Sequence, residues 1–177
     1  MNDRLLSRSV AVGDIHGATE VEIVADAEQR AALAKAYDLL SVGNLSARVT
    51  VRLEGGGFDV SGRVTADIEQ ACVVSLVPVA QHIDEPFSLR FVRPDSPEIP
   101  PEVKPHGEVV VDPAAPDPPE VLSGNAIDVG AVVEEAFVLA IDPYPRAPGA
   151  VLPKEADEDE RASSPFAVLA GLKDRKS

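Results

Sequence analysis

Apolar side chains in "ATEVEIVAD", residues 18–26, recur at every second position: Val21, Ile23 and Ala25 point one way, Glu20, Glu22 and Val24 the other. That alternation predicts a half-buried strand. A shorter run from Ser9 to Val12 predicts another strand, ending in a Gly-Asp turn. At Asp26 the period changes. Asp26 with Gln29 three residues on forms an Asp-x-x-Gln capping box, and Leu33, Ala36, Tyr37 and Leu40 follow at helical spacing until Gly43 offers a stop.

From Ala47 to Val92 the period returns to two. "ARVTVRLEGG" and "FDVSGRVTADIEQACVVSLVPV" are rich in Val, Thr and Ile and are joined by Gly55, Gly56 and Gly57, which tolerate the positive φ of a hairpin turn. The second run is too long for one straight strand, so Gly62 is expected to mark a bulge or bend, with a tight turn near Glu69 to Ala71. "PVAQHIDEPFSLRFV" reads as a loop that returns into a strand at Phe87, Leu89 and Phe91.

Residues 94–123 hold nine of the sixteen prolines, interleaved with Asp and Glu. Such a stretch lacks donors and repels itself, so it predicts a long loop, with "GEVVVD" as one short edge strand inside it. Beyond it, Asp128 caps a second helix whose Val129, Val132, Val133, Ala136, Phe137 and Ala140 form a wide apolar stripe, with Pro143 at its end. "KEADEDER" is a solvated acidic run. In "SSPFAVLAGLKDRKS", Ser164 can cap, Pro165 suits the first helical position, and Phe166, Leu169 and Leu172 lie three apart. This short helix either docks on a partner or packs back on the domain, since two turns are marginal alone.

The fold class expected is therefore α+β: a curved, partly barrel-like antiparallel sheet of about five or six strands, two amphipathic helices, a long Pro/acidic loop and a C-terminal tail. A single domain spans residues 1–150, with the loop at 94–123, and residues 151–177 form an acidic tether and docking helix. The 177-residue length suits one domain, and with no Trp and 4% aromatic residues the core is β-branched and thin.

Charge then narrows the partners. A net charge of −14 repels nucleic acid at long range and attracts basic proteins, so any role on RNA is local or indirect. One Cys excludes an internal disulfide and a cysteine-only metal site. No N-terminal apolar stretch has the length of a signal peptide or a spanning helix, which leads us to expect a cytoplasmic protein without membrane contact.

Candidate chemistry is sparse. "GDIHG" at residues 13–17 resembles the opening of a metallophosphatase site, where Asp14 and His16 would share a metal. The partner motifs of that site, Gly-Asp-x-x-Asp-Arg-Gly and Gly-Asn-His-Glu, are missing; Gly43-Asn44-Leu45-Ser46 lacks the imidazole, and His16, His82 and His106 are the only histidines. A metal-dependent phosphoesterase stays as a lesser alternative, the simpler account being a strand end and a turn. Cys72 has no neighbouring cation to activate it, His82, Asp84 and Glu85 lack a second cluster, and Gly55 to Gly57 lack the Lys and Ser/Thr of a phosphate loop. We expect no enzyme, cofactor or metal.

Four stretches resemble the YceD family in order: "VSGRVTADIEQACVVSLVPV", "HIDEPFSLRFV", "IDVGAVVEEAFVLAIDPYPRAPG" and "SPFAVLAGLK". Members of that family are associated with accumulation of large-subunit ribosomal RNA in bacteria and plastids. The similarity covers most of the chain, from the first strand to the C-terminal segment. Leu76, Pro78, Asp128, Tyr144, Pro145, Pro165, Phe166 and Leu169 match, whereas the family's frequent Cys-x-Arg-Cys-Leu reads Cys72-Val73-Val74-Ser75-Leu76 here, so a metal or redox role for paired cysteines does not apply and this strand is left as core. The resemblance implies a ribosome biogenesis factor. Joined to the charge, it implies a basic large-subunit ribosomal protein or pre-ribosomal particle as partner, with ribosomal RNA contacted indirectly, through Tyr144, Pro145, Pro165, Phe166, Leu169, Leu172 and Lys173 and with the acidic loop and tether contributing. A general acidic protein-interaction module is the alternative.

Overall fold

A computed structural model describes residues 5–99 and 117–151 of the chain. The order is β1 (Ser9–Ala11), a 3-10 turn (Val12–Asp14), β2 (Ala18–Val24), α1 (Ala27–Ala36), β3 (Ser41–Glu54), β4 (Gly57–Ala71), β5 (Pro78–Val92), β6 (Glu120–Val121), β7 (Ala126–Asp128) and α2 (Val129–Leu139). Strands β2-β3-β4-β5-β6 form one sheet, antiparallel except for the parallel β5–β6 pair, and β1 pairs with β7 in a separate two-stranded ribbon. The sheet is curved but does not close into a barrel: β2 and β6 remain its two margins.

Alternation decides which face is buried. Leu45, Ala47, Val49 and Val51 of β3 meet Val60, Val64, Ala66 and Ile68 of β4 on the inner face, where all are buried. Arg48, Arg63, Asp67 and Asp84 stand on the other face, exposed. Val129, Val132, Val133, Ala136 and Phe137 of α2 are buried as the stripe predicts, and the Phe137 ring meets Tyr37 edge-on with centroids 6.4 Å apart.

Local signals placed the helix starts. Asp26 accepts from the Gln29 amide at 2.8 Å while Gln29 Oε1 accepts from the Asp26 amide at 3.0 Å, completing the capping box. The end of α1 differs from expectation. Asp38 adopts φ 54, a left-handed conformation that Asp tolerates better than most residues, and the Leu40 amide already donates to Glu69 of β4. Leu40 and Ala36 are therefore exposed, Leu39 is buried in their place, and Gly43 sits at a bulge within β3, the register shifting between Val42 and Asn44.

Three further corrections concern the long runs. No shift occurs at Gly62, which pairs in register with Val49 and Phe87; a Cβ there would overlap the Arg48 carbonyl and the Phe87 ring, so glycine makes room for an aromatic side chain rather than a bulge. The turn between β4 and β5 lies at Cys72 to Val77 rather than at residues 69–71. His82, Asp84, Glu85 and Pro86 lie within β5, not in a loop. Pro86 is tolerated because β5 is an edge strand along most of its length, β6 joining it only at Phe91 and Val92. Within the expected loop, the short edge strand observed is Glu120–Val121; "GEVVVD" lies outside the described residues. Hairpin glycines Gly55 (φ 58) and Gly56 (φ 84) behave as expected.

Asp128 does more than cap α2. It accepts from the Ala131 amide at 3.1 Å, the Arg8 amide at 2.8 Å and the Ser7 hydroxyl at 2.8 Å, so one carboxylate joins the N-terminal segment to the helix. Partial burial is the largest single influence and would raise its pKa, but the amide of Arg8, the hydroxyl of Ser7 and the amides of Ala131 and Gly130 together hold it below the usual carboxylate value. A lowered folded-state pKa stabilises the fold above the unfolded value of about 3.9 and is lost as pH falls through the folded one. Urea unfolding should therefore show stability declining below about pH 4, with part of that decline absent in Asp128→Asn, which keeps a capping oxygen but does not titrate.

Candidate interaction site

Asp14 and His16 are both exposed, on either side of buried Ile15, in and just after the 3-10 turn. Among the described residues no group of three or more His, Cys, Asp or Glu is placed to hold a metal. His82 Nδ1 lies 2.7 Å from Asp67 and Asp84 pairs with Arg63 at 2.8 Å, both exposed cross-strand pairs. Side chains along a strand alternate, so Glu85 points away from its neighbour Asp84 and the acids do not converge.

The turn between β4 and β5 is built differently. Cys72 is fully buried, and its Sγ accepts from the amides of Ala147 at 3.3 Å and of Val74 and Ser75 at 3.4 Å. The Ala147 amide, then the Ser75 hydroxyl and amide, outweigh burial and push the thiol down to about 6. Sequence reasoning saw only an apolar neighbourhood; the amide of Ala147 arrives from a segment distant in the chain. Instead of ending a core strand, Cys72 is the post around which the turn winds.

The segment after α2 is clamped to the same place. Gln81 donates to the Ala140 carbonyl at 2.8 Å and accepts from the Asp142 amide at 3.1 Å, Gln70 donates to the Asp142 carbonyl at 2.9 Å, and the Val73 amide donates to the Pro145 carbonyl at 2.9 Å. Pro145 is buried and serves this clamp, whereas Tyr144 is 73% exposed beside it. Leu76 is 76% exposed and holds φ 60, with Val73 and Val77 about half exposed. A leucine in the left-handed region costs about 1–2 kcal/mol. Four apolar side chains, Val73, Leu76, Val77 and Tyr144, are thus about half or more exposed on segments tied together by the Val73–Pro145 hydrogen bond and the sulfur of Cys72. Pro165, Phe166, Leu169, Leu172 and Lys173, the other expected contact residues, lie outside the described residues.

Fold and surface together define an α+β protein that presents a fixed apolar turn on an acidic body. Among the described residues no helix is long and apolar enough to cross a membrane. The profile of the family described as Large ribosomal RNA subunit accumulation protein YceD matches residues 60–173, and the chain belongs to this family. The match begins within β4 and takes in the Cys72 turn, α2 and Tyr144, while β1, β2, α1 and β3 precede it. No curated protein and no solved structure matches the chain.

Proposed function

We propose that this chain promotes accumulation of large-subunit ribosomal RNA in the cytoplasm, without catalysis, by binding a basic large-subunit ribosomal protein or a pre-ribosomal particle that carries one. The family supplies the process. The observation that carries the mode of action is Leu76, held exposed in a strained conformation beside Tyr144 on a chain of net charge −14. Such a body disfavours a direct grip on phosphates and favours cationic proteins, while the apolar turn gives a contact that salt does not screen.

Leu76→Gly separates binding from folding. Glycine accepts φ 60 without strain, so the variant should unfold within about 1 kcal/mol of the parent. Combined with Tyr144→Ala, it is expected to lower the ratio of large- to small-subunit ribosomal RNA in cells toward that of cells lacking the protein, and to reduce cosedimentation with large-subunit precursors. An unchanged ratio with intact folding would point to a general interaction module. Tight binding of the purified protein to bare large-subunit RNA at physiological salt would sink the indirect mode.

A further inference from the structure

A second surface lies between α2 and the margin of the sheet. Phe87 and Leu89 of β5 face Val132, Ala136 and Leu139 of α2 across a groove of about 450 Å³, continuous through Leu89 and Val132 with a second stretch of about 320 Å³. Among the described residues β6 contributes only two positions beside β5, which leaves Phe87 and Leu89 without a strand neighbour on that side. Phe87 and Leu89 are half-buried and Leu139 is 79% exposed.

Its rim is acidic. Asp117 and Glu120 line one side and Glu135 the other; all three are exposed, and none of their carboxylates has a hydrogen bond or ion pair among the described residues. Among the described residues Arg90 is the one base in the lining, and its guanidinium is already held by Asp59 at 2.6 Å and by Glu98 at 2.6 and 3.0 Å. An apolar floor beneath uncompensated carboxylates selects a segment with apolar side chains flanked by cations: the floor rewards burial and the rim rewards positive charge.

We propose that this groove seats a Lys/Arg-flanked apolar segment of the chain's partner protein. The proposal rests on the reading of that partner as a basic protein, and it assigns the basic segment to the groove while leaving the apolar turn as a separate contact.

The test uses the full chain and a fluorescent peptide with leucines at i, i+3, i+4 and i+7 and lysines elsewhere, beside a glutamate-for-lysine analogue and a scrambled peptide of equal charge. Anisotropy should show binding of the first peptide alone, weakened by added salt. Glu120→Lys with Glu135→Lys should weaken it about tenfold or more, as should Leu139→Asp, while Leu76→Gly with Tyr144→Ala leaves it unchanged. Circular dichroism confirms that the variants fold. A photoreactive side chain at position 139 should cross-link to the peptide. Equal binding of the scrambled peptide, or undiminished binding by the double lysine variant, overturns the proposal. So does cross-linking confined to residues 164–173 of the same chain, which would give the groove to its own tail. If the peptide results hold but groove variants leave the ribosomal RNA ratio untouched, the groove stands and the ribosomal reading falls.

Discussion

Gly130→Ala is expected to lower the stability of the protein by about 3–5 kcal/mol, at the upper end of what a single added methyl group does. A Cβ at this position would overlap the Leu6 carbonyl and crowd the Arg8 amide. Both are backbone atoms, and the same stretch is fixed by hydrogen bonds from the Val129 and Gly130 amides to the Arg8 carbonyl. The segment from Leu6 to Arg8 cannot retreat without giving up those bonds, the adjoining β1–β7 ribbon and the burial of Leu6, which is 2% exposed. Against a total stability of about 5–15 kcal/mol for a domain of ordinary size, the variant should show a much lower urea midpoint or no cooperative transition. A midpoint unchanged from the parent would mean that the N-terminal segment is not packed against α2 as described.

The second large effect is expected at Glu134. This buried residue, 7% exposed, accepts from the Leu5 and Leu6 amides at 2.8 and 3.1 Å through one oxygen and from the Tyr37 hydroxyl at 2.7 Å through the other. It therefore joins the N-terminal segment, the end of α1 and α2 in one place. Glu134→Ala strands three donors in or near the interior, each worth about 1–3 kcal/mol when left unpaired, and a total loss of about 3–5 kcal/mol is expected, because Leu5 can turn partly to water. Glu134→Gln keeps an oxygen for the two amides and offers a donor to the Tyr37 oxygen, so it should lose only about 1 kcal/mol. Urea midpoints of the two variants, with hydrogen exchange at the Leu5 and Leu6 amides, measure the difference. Equal losses in both would assign the role to side-chain volume instead of hydrogen bonding.

Features specified within one turn of chain were legible in the sequence. The Asp26–Gln29 box, the Asp128 cap, the apolar stripe of α2 and the Gly55–Gly56 hairpin each depend on residues a few positions apart. Features that depend on what a segment meets were not. Pro86 and the polar run around it read as a loop because the sequence does not reveal that β5 lies at an edge, and Gly43 reads as a helix stop because glycine is the stronger signal, although Asp38, which also tolerates φ > 0, ends the helix earlier. The candidate site divides the same way. Tyr144 is expected as a contact residue through the family resemblance, whereas the exposure of Val73, Leu76 and Val77 follows from a turn wound on Cys72 with the distant Ala147 amide, which the sequence does not reveal. Pro145, expected as a contact residue, is buried, and its carbonyl receives the Val73 amide. The signal that could have pointed to Leu76 was its place in the family motif; its backbone strain has no sequence signature.

The parallel β5–β6 pair bears on how this architecture can vary. Arg90 grips Glu98 soon after the chain leaves β5, and Glu120 and Val121 bring it back beside Phe91 and Val92. Among the described residues, Glu98 and Glu120–Val121 are therefore both anchored on β5. A change of chain length between Glu98 and Glu120 should thus leave the β5–β6 register in place, because the contacts that fix it lie on β5 itself.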